Sequence, residues 1–264
     1  MPTPDIKPGS PCWIDLATSD TAKAREFYGE LFGWQFEAGS EELYGGYITA
    51  SKDGQPVAGI MAKQEDQAGI PDAWCTYLRT DDAAATAESV ARHGGQTHMP
   101  PMDVPAQGVM AFFGDAGGAA VGAWQPREMR GFGTAAEPGA PAWHELHTKN
   151  YERAVEFYQN VFGWQTSVMS DSPGFRYTTL GSGETAQAGI MDAAGYLPDD
   201  VPSHWQVYFA VDDTDATIER ATAMGATVLE GPADSDFGRV AHLADPTGAT
   251  FKVISAPAAS AQGQ

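Results

Sequence analysis

Side chains able to do acid–base chemistry recur at strand spacing in the second half of this chain. Trp143, Glu145 and His147 alternate with period two, as do His204, Gln206 and Tyr208, and Lys252 lies in a third β-rich segment. Residues two apart on a strand share a face, so each trio projects to one side. Three readings of Glu145 stand open. As a general base beside His204 or His147, it could remove a proton next to a carbonyl, with Tyr208 or Lys252 steadying the oxyanion. Glu145, His147 and His204 could instead imitate a two-His-one-carboxylate metal set. The third reading is a buried carboxylate, bonded to an indole N–H or to Lys252, that shapes a ligand pocket without turnover. The run His144-Glu145-Leu146-His147 lacks the His-Glu-x-x-His spacing of zinc proteases, and a strand sends His144 and His147 to opposite faces. His242 reads as a packed or edge histidine.

The elements that must position these groups come from an internal repeat. Pro11-Cys12-Trp13-Ile14-Asp15-Leu16-Ala17-Thr18 matches Pro141-Ala142-Trp143-His144-Glu145-Leu146-His147-Thr148 at an offset of 130 positions (13 to 143). The same offset joins Phe32-Gly33-Trp34-Gln35 to Phe162-Gly163-Trp164-Gln165 and Ala58-Gly59-Ile60-Met61 to Ala188-Gly189-Ile190-Met191. Ala24, Phe27, Tyr28 and Leu31 recur at helical spacing, as do Ala154, Phe157, Tyr158 and Val161. Asp20 and Asn150 stand where N-caps belong, and Gly33 and Gly163 where helices stop. Strands are expected at Trp13–Leu16, Tyr44–Thr49 and Val57–Met61. A second strand–helix–strand unit follows in each half, beginning at Trp74 and His204. The chain therefore reads as four βαβββ-type units in two pairs.

This pattern resembles the vicinal-oxygen-chelate superfamily, which includes glyoxalase I, extradiol dioxygenases and bleomycin-resistance proteins. The residues carrying the resemblance are Phe27-Tyr28 with Phe32-Gly33-Trp34, their counterparts Phe157-Tyr158 with Phe162-Gly163-Trp164, and Asp245-Pro246-Thr247-Gly248. The whole chain is similar to actinobacterial two-domain glyoxalase-like proteins. The resemblance implies an α+β fold of two tandem domains, each made of two βαβββ units forming a curved sheet around a cavity. Expected limits are an N-terminal extension at 1–10, domains at 11–126 and 141–255, a linker at 127–140 and a flexible tail at 256–264. The family's metal ligands would fall on Trp13, Cys75 and Gly122 in the first half and on Trp143, Gln206 and Lys252 in the second. Trp and Gly donate nothing and an ammonium repels a cation, so neither a metal nor another cofactor is expected. If Trp143 faces the cavity, so do Glu145, His147, His204, Gln206, Tyr208 and Lys252. The first cavity would hold Trp13, Asp15, Cys75, Tyr77 and Trp124. Trp34 and Trp164 are expected in the core.

The formal charge of -20 makes nucleic acids and anionic membranes poor partners. Two cysteines cannot build a disulfide framework, and the start of the chain does not look like a signal peptide, so a cytoplasmic location is the default. Two paired domains can complete the fold within one chain, which is compatible with a monomer. The expected function is a glyoxalase-like small-molecule enzyme of detoxification type. It would lack the standard metal quartet and transfer a proton on a carbonyl compound in the second cavity. Its rivals are a non-catalytic protein sequestering an aromatic or drug-like molecule, and a displaced-site metal-dependent oxygenase.

Overall fold

The computed structural model describes residues 4–64, 67 and 69–257. The expected tail lies outside the described residues from position 258 onward.

The first half runs β1 (Pro11–Thr18), α1 (Thr21–Phe32), β2 (Gln35–Ala38), the one-turn helix α2 (Glu41–Tyr44), β3 (Ile48–Lys52) and β4 (Gln55–Ala62). It continues with β5 (Ala73–Arg79), α3 (Ala83–Arg92), β6 (Gln96–Val104), β7 (Gly108–Gly114) and β8 (Ala120–Pro126). The second half repeats the plan as β9 (Pro141–Thr148), α4 (Tyr151–Phe162), β10 (Thr166–Ser172), β11 (Phe175–Leu180) and β12 (Ala188–Asp192). Its last unit is β13 (His204–Ala210), α5 (Thr214–Ala223), β14 (Thr227–Ser235), β15 (Gly238–Ala244) and β16 (Thr250–Ser255). Each half forms one mixed eight-stranded sheet, ordered β2-β3-β4-β1-β5-β8-β7-β6 and β10-β11-β12-β9-β13-β16-β15-β14.

β1 and β9 lie at the centre of their sheets, between a parallel and an antiparallel neighbour. Alternation divides their side chains. Ile14, Leu16 and Leu146 join the helix-covered cores, while Asp15, Glu145 and His147 take the other face. Each fully buried aliphatic side chain contributes about 1.5–3 kcal/mol, which fixes the strand register and with it the face on which the polar residues stand.

One local expectation is corrected. Tyr44 ends a helical turn rather than opening a strand. The Ser40 side chain accepts from the Leu43 N–H, and Gly45 takes positive φ before β3 begins at Ile48. Asn150 occupies the N-cap of α4 without a side-chain capping bond, whereas Asp20 accepts from Ala22 and Lys23. The stretch at 127–140, the expected linker, packs against both halves. Its Phe132 ring lies 5.7 Å from Trp13 and 5.8 Å from His144, and Gly139 O accepts the Trp34 indole N–H at 2.6 Å.

Trp34 and Trp164 are buried, as expected. Less foreseeable is that each half completes the other's core. Tyr28 on α1 donates to Asp245 at 2.9 Å, and Tyr158 on α4 donates to Asp115 at 3.0 Å. Phe27, Tyr28 and Phe32 pack on Phe209 and Phe251 across the divide.

Candidate active site in the second half

Register brings the two expected trios together. Trp143, Glu145 and His147 on β9 lie opposite Tyr208, Gln206 and His204 on β13, and Tyr208 is paired with Lys252 on β16. Directly opposed residues share a face, so all seven belong to one surface.

Glu145 is its hub. The residue is 6% exposed, and both carboxylate oxygens are occupied. Oε1 accepts from Tyr208 Oη at 2.6 Å and from His147 Nε2 at 2.7 Å, and Oε2 accepts from Tyr177 Oη at 2.6 Å. Lys252 Nζ stands 3.8 Å from Oε1, donates to Tyr208 Oη at 3.0 Å and lies 4.9 Å from the centre of the Tyr208 ring. The Trp143 indole N–H donates to Tyr177 Oη at 2.9 Å. Burial alone would raise the Glu145 pKa. The His147 hydrogen bond and charge, the Lys252 ammonium and the Tyr177 hydroxyl outweigh it and hold the carboxyl at about 2. Burial and the adjoining Glu145 charge push Tyr177 and Tyr208 far up, so both remain proton donors.

The histidines differ in what they leave free. A carboxylate only accepts, so His147 Nε2 carries a proton, and Nδ1 meets Tyr196 Oη at 2.9 Å. His204 Nδ1 donates to Pro202 O at 2.9 Å, which leaves Nε2 as the acceptor of a neutral ring. Burial lowers the pKa of His204 and takes that of His242 down to about 4. The Lys252 charge pushes both the same way.

Gln206, directly opposite Glu145, is 1% exposed, and neither end of its carboxamide has a hydrogen-bond partner among the described residues. The buried His242 Nε2 is likewise unpartnered, and His242 is the register partner of Lys252. Unpaired buried polar atoms are costly, and they gather here around a complete ionic network.

The first half keeps the frame and closes it. Asp15 Oδ1 accepts from Tyr47 Oη and from the Trp13 indole N–H, at 2.5 and 2.9 Å. Burial raises its carboxyl to about 6, against hydrogen bonds from Tyr47, Tyr77 and Trp13. The Tyr77 ring lies over Gly122, where a Cβ would come within 2.1 Å of it. In the second half Lys252 occupies the corresponding position. Burial, with a smaller effect of Asp15, pushes the Cys75 thiol up to about 12, far from a nucleophilic thiolate. The Trp124 N–H is spent on Met129 O at 2.8 Å, and Ala17 pairs with Ala73 where the second half has His147 and His204.

Sequence reasoning missed Tyr47, Tyr177 and Tyr196. The first two share the 130-position offset, so the repeat held a usable signal. Tyr196 lies between β12 and β13 and has no counterpart in the matched blocks.

The donor set does not suit a metal. The positions inherited from the resemblance supply indole, thiol, amide, ammonium and glycine. His147 Nε2 is committed to Glu145, and no three His, Cys, Asp or Glu side chains converge on a common point among the described residues.

A model of the Glyoxalase/Bleomycin resistance protein/Dioxygenase superfamily matches residues 12–122 and 141–253. The chain is 40% identical over 253 residues to the protein named "Putative glyoxylase CFP32" from Mycobacterium tuberculosis, covering 95% of this chain and 96% of that one. It is 38% identical over 259 residues to the anthracycline biosynthesis protein DnrV of Streptomyces peucetius, covering 94% and 93%. Among solved structures, the Mn(II)-bound glyoxalase from Novosphingobium aromaticivorans superposes with a TM-score of 0.65 at 16% identity, over 94% of this chain and 82% of that one. The catechol dioxygenase BphC does so at 0.61 and 12%, over 94% and 87%.

Proposed function

The chain belongs to the glyoxalase/bleomycin-resistance/dioxygenase superfamily as two tandem domains, and from that premise we propose that its second domain transfers a proton on a small carbonyl compound. The observation that carries this reading is the unpartnered Gln206 carboxamide facing the saturated Glu145 network. A carbonyl oxygen can receive the Gln206 amide N–H, and Lys252 stands on the same face to stabilise the charge that develops on that oxygen. Glu145, expected as the base, is poorly suited to it, because three donors surround a carboxylate of low pKa. In this reading it is the fixed anion that holds Tyr208, His147 and Lys252 in place. The base is His204, whose Nε2 is left unprotonated by the bond from Nδ1 to Pro202.

The test is exchange of the proton α to the carbonyl, followed by NMR in D2O for a panel of small aldehydes and ketones. We expect wild-type protein to accelerate exchange of at least one compound, and His204→Ala to lose roughly 100-fold of that rate. Wild-type protein that binds compounds without exchanging any would replace the enzyme with a binder. That second reading draws on the kinship with anthracycline biosynthesis proteins and on the half-buried Trp143 at the rim, which fit an aromatic ligand.

A further inference from the structure

A second depression lies far from Glu145 in character. It encloses about 340 Å³ between the N-terminal segment, the end of β5 and the stretch that follows β8. Ile6, Pro126 and the buried Phe132 supply apolar lining. Three guanidinium groups line it, from Arg79, Arg127 and Arg130, with Asp5 as the single carboxylate among the described residues of its lining. In a chain with 15 basic and 35 acidic residues, this convergence is against the composition.

The charges are only partly spent. Arg127 pairs with Asp103 at 2.5 Å, but both side chains are about half exposed, where such pairs are worth little. Arg79 donates from Nη1 to Ile6 O and from Nη2 to Asp81 at 3.2 Å, while its buried Nε has no partner. Arg130 makes no ion pair among the described residues, and Asp5 faces Lys7 at 4.0 Å. The backbone beneath is held in place. Arg127 N–H donates to Gln107 O, Phe132 N–H donates to Cys12 O, and Trp124 ties down Met129 O.

We propose that this pocket is a second small-molecule site, for an organic carboxylate carried on a flat apolar body. The planar fork of the exposed Arg130 matches a carboxylate, the charges of Arg79 and Arg127 add attraction, and Ile6, Pro126 and Phe132 cover the remainder of the ligand. The volume suits a molecule of one or two rings. The inference does not depend on the chemistry assigned to Glu145, and the two sites share no residue.

Calorimetric titration with naphthoate tests it, with naphthylmethanol as the uncharged analogue and inorganic phosphate as the compact anion. Arg130 is exposed, so Arg130→Glu leaves the folded core untouched, and Lys23→Glu on α1 makes the same charge change elsewhere. Expected are one naphthoate bound per chain, affinity falling at least tenfold in Arg130→Glu and with added salt, and no change in Lys23→Glu. The proposal is overturned if naphthoate fails to bind at millimolar concentration, or binds Arg130→Glu as tightly as wild type. Equal binding of naphthylmethanol would remove the role of the arginines, and equal binding of phosphate would remove that of the apolar side chains.

Discussion

Asp15 and Glu145 occupy matching positions, yet their surroundings push their titrations in opposite directions. Asp15 has tyrosine and indole donors but no cation within its network, so burial dominates and its pKa rises from 3.8 to about 6. A carboxyl whose folded pKa is raised favours folding fully below its unfolded value and loses that contribution as pH climbs through the folded one. The penalty from Asp15 therefore builds between about pH 4 and pH 6 and is complete above that range. The shift of roughly two units corresponds to about 3 kcal/mol at most. Asp15→Asn should raise stability at pH 7 and change it little at pH 4, as read by urea denaturation at the two pH values. Glu145 has Lys252 and His147 beside it, and its pKa is depressed from 4.5 to about 2. Its contribution is present above pH 4.5 and disappears as pH falls toward 2. Glu145→Gln should flatten the acid side of the stability profile, where Asp15→Asn flattens the other. At this scale the sequence was partly legible. Period-two spacing put Glu145, His147, Gln206 and Tyr208 on one face, but it carried no trace of Tyr196, which reaches His147 from a loop.

At the scale of elements, the Tyr47 and Tyr177 side chains lie over β4 and β12 and leave no room for side chains at two glycines. A Cβ on Gly59 would lie 1.8 Å from Tyr47 Oη, and one on Gly189 would lie 2.0 Å from Tyr177 Oη. Gly189→Ala must therefore push Tyr177 off Glu145. It should cost about 1–3 kcal/mol of stability and raise the pKa of Glu145 by removing a donor, which carboxyl-region NMR titration would detect. The central strands and helices were readable because buried alternation and helical periodicity mark them strongly. The outer strands β6 and β14 were implied by the βαβββ plan but not located along the chain, since β6 is mostly exposed and β14 wholly so, and neither carries a hydrophobic pattern. Tyr44 misled for another reason. A β-favouring residue was captured by a capped helical turn between Ser40 and Gly45.

For the whole molecule, the reciprocal bonds Tyr28–Asp245 and Tyr158–Asp115 join the two halves through buried side chains, and unfolding as one unit is the expected result. Removal of either hydroxyl leaves a buried carboxylate short of a donor, at a cost of about 1–3 kcal/mol. Tyr28→Phe and Tyr158→Phe should each lower a single unfolding midpoint, with far-ultraviolet and tryptophan-fluorescence transitions remaining coincident. Two separated transitions would mean that the halves fold independently. The repeat revealed two similar halves. It was silent on how they share a core, because contacts between distant segments leave no local periodicity in a chain.

The path of residues 127–140 has a consequence for proteolysis. Phe132 is wedged between a tryptophan of one half and a histidine of the other, and Gly139 is pinned under Trp34. Such a connector offers a protease no slack with which to enter an active-site cleft. Its Gly-Pro-Ala composition notwithstanding, it should outlast the exposed hairpins at the sheet edges in a digestion time course.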